Sequence, residues 1–273
     1  MFPHAAGEGF HRAMAGPIVT LSNVDKVYSN GVVALKKFDL AVAESEFVSL
    51  LGPSGCGKST GLRLIAGLGG LTGGRIDWPQ AEHKTQNEHR RNIGFVFQDP
   101  TLMPWATVFD NVRLPLKLGG ISKPKAADRV REVIGMVHLD SFEGAYPREL
   151  SGGMKMRVSI ARALVTSPDI LLMDEPFAAL DEITRFKLND DLLELWSGQR
   201  LTVIFVTHSV YESVFLSNRV CVMTAQPGRM LREIEIDAPY PRDERFRTSP
   251  VYNDFCRQVS GLLHESMLAE PED

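Results

Sequence analysis

The sequence predicts an α/β fold built on an open parallel sheet, and three observations carry that prediction. Three short segments are apolar almost throughout: Phe47-Val48-Ser49-Leu50-Leu51, Ile170-Leu171-Leu172-Met173 and Thr202-Val203-Ile204-Phe205-Val206. Continuous rather than alternating apolarity marks strands covered on both faces, as parallel sheets require. Each segment also ends in polar residues: a glycine-rich loop, the pair Asp174-Glu175, and Thr207-His208. Open parallel sheets bind ligands at the carboxyl ends of their strands, so the three ends can converge on one site.

The remaining elements follow in chain order. Residues 1–16, rich in Gly, Ala and His, read as a loose tail. Residues 18–24 and 32–42 read as a hairpin joined through Ser29-Asn30-Gly31. Residues 60–67, after the glycine-rich loop, are helix-like. Between Pro100 and Ser151 the β pattern fades, and Ala126, Val130, Val133, Ile134 and Val137 repeat at helical spacing. A mostly helical insertion is expected there. Residues 154–165 form another helical run. Residues 219–223 and 230–236, joined through Pro227-Gly228-Arg229, read as a closing hairpin. Pro239 and Pro241 then break the chain before an amphipathic helix over 251–263. There is no internal repeat.

Composition narrows the function. The 273 residues carry a net charge of −4, with 44% hydrophobic and 23% charged content, ordinary for a globular protein. The densest basic clusters, Lys36-Lys37 and Arg90-Arg91, are short and offer no wide cationic surface, so nucleic acid is not expected as a partner. The three cysteines, Cys56, Cys221 and Cys256, are widely spaced, which argues against a disulfide framework or zinc site and fits a reducing compartment. No stretch approaches the roughly 18 apolar residues of a membrane span.

Gly52-Pro53-Ser54-Gly55-Cys56-Gly57-Lys58-Ser59 matches GxxxxGK[ST] in full, after an apolar strand and before a helix-like run. Glycines let backbone N–H groups turn toward phosphate oxygens, and the following helix N-terminus at Thr60 adds partial positive charge. Lys58 is placed to neutralise the β- and γ-phosphates of ATP, and the Ser59 hydroxyl to ligate Mg²⁺. Gly61, inside the helix, costs about 1 kcal/mol relative to Ala; close packing is one account of it, and the sequence supplies no firmer one.

Two adjacent acids at a buried strand's exit need a cation or a proton-transfer role, because unpaired buried carboxylates are costly. Asp174 is assigned to Mg²⁺ and Glu175 to the attacking water. His208, ending the third strand level with the other two, is assigned as a donor to the γ-phosphate.

With those parts in place, Glu149-Leu150-Ser151-Gly152-Gly153-Met154 closely resembles the signature motif of ABC-transporter ATP-binding subunits. Tyr28 matches the family's adenine-stacking aromatic. Gln98 matches the Q-loop glutamine, a further Mg²⁺ contact. Ala179-Leu180-Asp181 matches the D-loop, and His208 the switch histidine. The resemblance implies a P-loop NTPase with a RecA-like core, an antiparallel β subdomain and a helical subdomain at about 100–155. It implies an ATP-binding domain over 18–240, between an N-terminal tail (1–17) and a C-terminal helical tail (241–273). Ser151, Gly152 and Gly153 precede a helix and form an anion site. In the family that site closes over the ATP of a second copy, giving an ATP-sandwiched homodimer. Met154 and Met156 stand where the family usually has Gln, and altered affinity or rate is expected rather than lost function.

The sub-pattern also resembles importers of nitrate, sulfonate and taurine, in Phe97-Gln98-Asp99-Pro100-Thr101-Leu102-Met103-Pro104-Trp105 above all. That implies transmembrane permease subunits, an indirectly coupled solute-binding protein, and a peripheral location on the cytoplasmic face of the bacterial inner membrane. Leu102, Met103 and Trp105 either contact the permease or pack the helical insertion's own core. A soluble ABC-type ATPase acting on ribosomes or DNA is the rival reading, but the chain has no second cassette, charged linker or long coiled coil. A P-loop kinase would leave the signature segment unexplained.

Overall fold

The computed structural model describes residues 16–79 and 92–268. Nearly all of the expected N-terminal tail, and the Arg90-Arg91 cluster, lie outside those residues. The chain begins with the expected hairpin: β1 (Pro17–Val27) pairs antiparallel with β2 (Val33–Ala43). Gly31 at its turn has φ +84°, a conformation glycine adopts without steric cost. β3 (Phe47–Leu51) leads through the glycine-rich loop into α1 (Lys58–Ile65). β4 (Gly73–Asp77) then returns along β1, making a three-stranded antiparallel sheet in the order β2-β1-β4.

β5 (Ile93–Val96) enters a second sheet, and a helical block follows. It comprises α2 (Val108–Val112), α3 (Leu114–Leu118), α4 (Lys123–Met136) and α5 (Gly152–Leu164). α4 buries Ala126, Val130, Val133 and Ile134, the stripe read from the sequence. Beyond it come β6 (Ile170–Asp174), α6 (Glu182–Gln199), β7 (Thr202–Thr207), α7 (Val210–Leu216) and β8 (Arg219–Met223). β9 (Met230–Glu235), α8 (Glu244–Arg247) and α9 (Pro250–Leu268) complete the described chain.

The larger sheet runs β5-β6-β7-β3-β8-β9, parallel except for β9, which pairs antiparallel with β8. Strand alternation divides its buried side chains between two cores. Phe47, Leu51, Leu171, Met173, Val203 and Phe205 face the helical block and the C-terminal helices. Val48, Leu50, Ile170, Leu172, Ile204 and Val206 face α1 and the smaller sheet. The three apolar segments therefore needed no polar face, as predicted. The α/β class, the antiparallel β unit and the helical block all match the sequence reading.

Candidate functional site

β6, β7 and β3 are neighbours, and their register is the key to the site. Asp174 pairs with Val206, and Leu51 with Thr207. Asp174-Glu175, His208 and Gly52 thus leave the same edge of the sheet. That common exit is what the three apolar segments implied.

The loop from Gly52 to Gly57 crosses this edge. Gly55 has φ +80° with open space beyond its Cα, and Ser54 and Gly55 form the exposed rim. Gly57 has φ +99°, and a Cβ there would lie 2.6 Å from the Ala34 carbonyl oxygen. Backbone conformation and crowding both demand glycine at that position. Gly52 is similarly confined, since a Cβ would meet Cys56 Sγ at 2.9 Å. Cys56 itself is buried, and burial pushes its thiol above the ordinary range despite the nearby Lys58.

The side chain of Lys58 curls back into the loop. Its Nζ donates to the carbonyls of Gly52 at 2.8 Å and Pro53 at 2.9 Å. A third, longer contact runs to Cys56 Sγ at 3.8 Å; an ammonium held by neutral carbonyls and a thiol leaves its charge available to an anion. The Ser59 hydroxyl donates to Asp174 Oδ1 at 2.6 Å, joining the start of α1 to the end of β6. Asp174 is buried, and that burial raises its carboxyl above the ordinary carboxylate range; Ser59, Arg63 and Lys58 oppose the shift.

Glu175 turns away from the strand with φ +45°, in the left-handed region where non-glycine residues are uncommon. Its backbone N–H donates to Val206 O at 3.0 Å, and Glu175 Oε2 lies 3.1 Å from His208 Nδ1. The two residues expected to act on the attacking water and the γ-phosphate are thus in contact. The oxygen set of Ser59 and Asp174 suits a small hard cation that keeps most of its water. No denser cluster of metal-ligating side chains occurs among the described residues.

Other predicted site residues are distributed as follows. Tyr28 follows β1, and its hydroxyl lies 3.1 Å from Thr60 Oγ1, so an aromatic ring borders the first turn of α1. Gln98 is exposed two residues past β5, beside the end of β6. Ser151 caps α5 by accepting from Met154 N at 3.3 Å. A Cβ on Gly153 would meet Thr184 Cγ2 at 2.6 Å, so close packing of α5 on α6 requires that glycine. Asp181 caps α6, accepting from Thr184 N at 2.9 Å; that N–H bond holds its carboxyl below the ordinary range.

One expectation fails. A Cβ on Gly61 would meet nothing within 4 Å, so close packing does not explain that glycine. Met156 is buried in the larger core and Met154 packs against it, so both departures from the usual Gln lie on the packed side of α5. Of the apolar residues after Gln98, Leu102 packs against that core, whereas Trp105 is 76% exposed. The loop carrying Trp105 is pinned by buried Asn111, whose amide donates to the carbonyls of Met103, Ala106 and Thr107.

Several contributors were missed by sequence reasoning. Arg162 on α5 donates to the carbonyls of Pro100 and Thr101, fixing the segment after Gln98. Buried Glu212 accepts from Thr207 Oγ1 at 2.5 Å and lies 3.7 Å from Arg185 of α6. Burial raises the Glu212 carboxyl as well. Lone charged residues within helices gave no sequence signal for either contact.

Comparison with known proteins agrees with this geometry. The ABC transporter family matches residues 35–178, just over half of the chain. The chain belongs to the ABC transporter family. An ABC transporter ATP-binding protein of Methanocaldococcus jannaschii is 46% identical over 251 residues, covering 91% of this chain and 92% of its own. The aliphatic sulfonates import ATP-binding protein SsuB of Bacillus licheniformis is 46% identical over 225 residues, covering 82% and 85%. The taurine import ATP-binding protein TauB of Rhizobium johnstonii is 41% identical over 244 residues, covering 88% and 92%.

Among solved structures, a dimeric ATP-binding cassette in a post-hydrolysis state with ADP and Pi superposes with a TM-score of 0.69. It is 36% identical and covers 81% of this chain and all of its own. The cbiO1 subunit of a Clostridium perfringens ABC transporter complex gives a TM-score of 0.74 at 26% identity, covering 92% and 98%. This ABC cassette is an ATP-binding, ATP-hydrolysing subunit of a transporter. Among the described residues no helix is long and apolar enough to cross a membrane.

Proposed function

We propose that this cassette works as a homodimer with two ATP molecules between the copies, and that it energises import of nitrate, a sulfonate, taurine or a related small solute. The observation that carries the catalytic part is the shared edge of β3, β6 and β7. It joins Ser59 to Asp174 at 2.6 Å and Glu175 to His208 at 3.1 Å, with Lys58 next to Ser59 at the start of α1.

In this reading the loop from Gly52 to Thr60 cradles the phosphates, and Tyr28 stacks on adenine. Lys58 exchanges its loop carbonyls for β- and γ-phosphate oxygens. Ser59 and Asp174 would hold Mg²⁺, with Gln98 reaching it from just beyond the end of β5. The ion would supply charge neutralisation at the phosphates. Glu175 orients the attacking water and accepts its proton, while His208 donates to the γ-phosphate and holds Glu175 in place. Ser151, Gly152 and Gly153 serve the ATP of the partner copy, and Asp181 lies at the seam between copies.

The solute class rests on similarity to SsuB and TauB, because transport selectivity resides in other chains. Exposed Trp105 borders a groove of about 330 Å³ lined also by Met103, Leu114, Lys117 and the ion-paired Asp110, Arg113 and Lys123. An exposed aromatic on a loop held by Asn111, beside apolar and ion-paired side chains, suits a helix of a permease subunit. That docking would place the cassette on the cytoplasmic face of a bacterial inner membrane, with a solute-binding protein engaged only through the permease.

Ser151→Arg tests the composite site. Isolated subunits should bind ATP with unchanged affinity, yet turnover should vanish, because the bulk blocks only the neighbour's nucleotide. Equal loss of ATP binding in the monomer would overturn the trans assignment.

A further inference from the structure

The segment after β9 grips the two helices that follow the Asp181 loop and His208. Arg242 is buried, and its guanidinium donates to five main-chain carbonyls. Three of them, on Val214, Phe215 and Ser217, belong to the C-terminal end of α7, at 2.9, 3.0 and 2.9 Å. Those carbonyls are the helix's unsatisfied acceptors, and a cation there also complements the helix dipole. The other two, on Ile236 and Ala238, tie the same group to the exit of β9.

Tyr252 of α9 holds the other end of α7, donating from its hydroxyl to Tyr211 O at 3.0 Å. Between these points the Arg247 guanidinium lies over the Phe215 ring of α7, 3.4 Å from its centroid. Arg247 also reaches α6, donating to Phe186 O at 3.2 Å and pairing with Asp190. Tyr240 adds a second link to α6: its ring lies 4.7 Å from Trp196, and the Arg242 guanidinium lies 4.1 Å from the same ring. The far end of α9 is anchored as well, where Ala225 N donates to Ser266 O.

Both gripped helices begin at the site. α6 is capped by Asp181, and α7 starts two residues after His208. The geometry points to a strap: residues 240–252 clamp α6 and α7 into one rigid pair and so fix His208 relative to the Asp181 loop. Arg242, Arg247 and Tyr252 are positioning residues, since none of them is at the strand ends where the chemistry is placed. This inference rests on the roles proposed above for His208 and Asp181.

Four full-length variants test the strap, of which Arg242→Ala removes the guanidinium altogether. Tyr252→Phe removes one hydroxyl, Arg247→Ala removes the bridge between the helices, and Arg242→Lys keeps the charge but cannot reach five carbonyls. Hydrogen exchange at the amides of residues 210–217 and steady-state ATPase kinetics are measured on each. The strap predicts faster exchange in α7 and at least a fivefold fall in kcat, with ATP affinity within twofold of the unsubstituted chain. Arg242→Lys should lie between Arg242→Ala and the unsubstituted chain in both readouts. Faster exchange with kcat unchanged would overturn the coupling to His208. Unchanged exchange in Arg247→Ala and Tyr252→Phe would overturn the strap itself. A His208→Ala variant that keeps full activity would instead remove the reading on which the strap rests, and the exchange data would still stand alone.

Discussion

Replacing Glu175 by Gln removes a proton acceptor while leaving the shape of the site intact. The amide has the volume of the carboxylate and can still meet His208 across the 3.1 Å contact. The backbone bond from Glu175 N to Val206 O does not involve the side chain, and the left-handed φ of +45° is the same for either residue. Stability should therefore hardly change. Catalysis should change greatly, because a positioned general base contributes about 10²- to 10⁴-fold. At about 1.4 kcal/mol per decade, the loss in transition-state stabilisation is about 3–5 kcal/mol. Phosphate release at saturating ATP should fall by that factor, while equilibrium ATP binding holds. Bound ATP that cannot be cleaved should also accumulate the closed dimer, visible by gel filtration, since a ligand favouring one state shifts the population toward it. A kcat within tenfold of the unsubstituted chain, or a variant that stays monomeric with ATP and Mg²⁺, would refute the role of Glu175.

Two glycines in one loop-helix unit should respond oppositely to alanine. Gly57→Ala meets a positive φ and a carbonyl at 2.6 Å, so it should cost about 1–3 kcal/mol. Gly61→Ala meets open space inside a helix and should stabilise by about 0.4–1 kcal/mol. Thermal melts resolve both, at about 2–4 °C per kcal/mol for a domain of this size, and a gain from Gly57→Ala would contradict the loop geometry. Asp174→Asn should separate stability from activity. Burial raises the folded-state carboxyl above its ordinary value of 3.8, so the folded state binds the extra proton. That contribution is present below pH 3.8 and lost as pH rises through the raised value. Without nucleotide, Asp174→Asn should melt higher than the parent at pH 7, with the gap closing toward pH 4, yet lose ATPase activity. A lower melting temperature at pH 7 would contradict the buried-charge account.

The parts legible in the sequence were those with a local signal. Continuous apolarity gave β3, β6 and β7, and the Gly-Lys-Ser spacing gave the phosphate loop. Their convergence followed from parallel topology alone, and the register bears it out. α6 escaped notice because its apolar residues lie on both sides: Leu188, Leu192 and Trp196 are buried, whereas Ile183 is 82% exposed and Phe186 half-exposed. β4 is short and begins with two glycines, a composition that reads as a turn. The contacts of Arg162, Arg185 and Arg242 depend on which distant carbonyls and acids the fold brings within reach. A long cationic side chain carries no such information in its own sequence position. Gly61 was misread for a related reason, since the space beside a helix is set by its neighbours in three dimensions.

Mixing two inactive variants tests the composite site most directly. Lys58→Ala disables a chain's own phosphate loop, and Ser151→Arg disables what it lends to its neighbour. Each variant alone builds two damaged sites in a homodimer, whereas a mixed dimer has one site with both halves intact. ATPase activity should therefore reappear on mixing and peak near equal proportions of the two chains. If every mixture stays as inactive as its components, each chain completes its own site and the shared-nucleotide dimer is wrong.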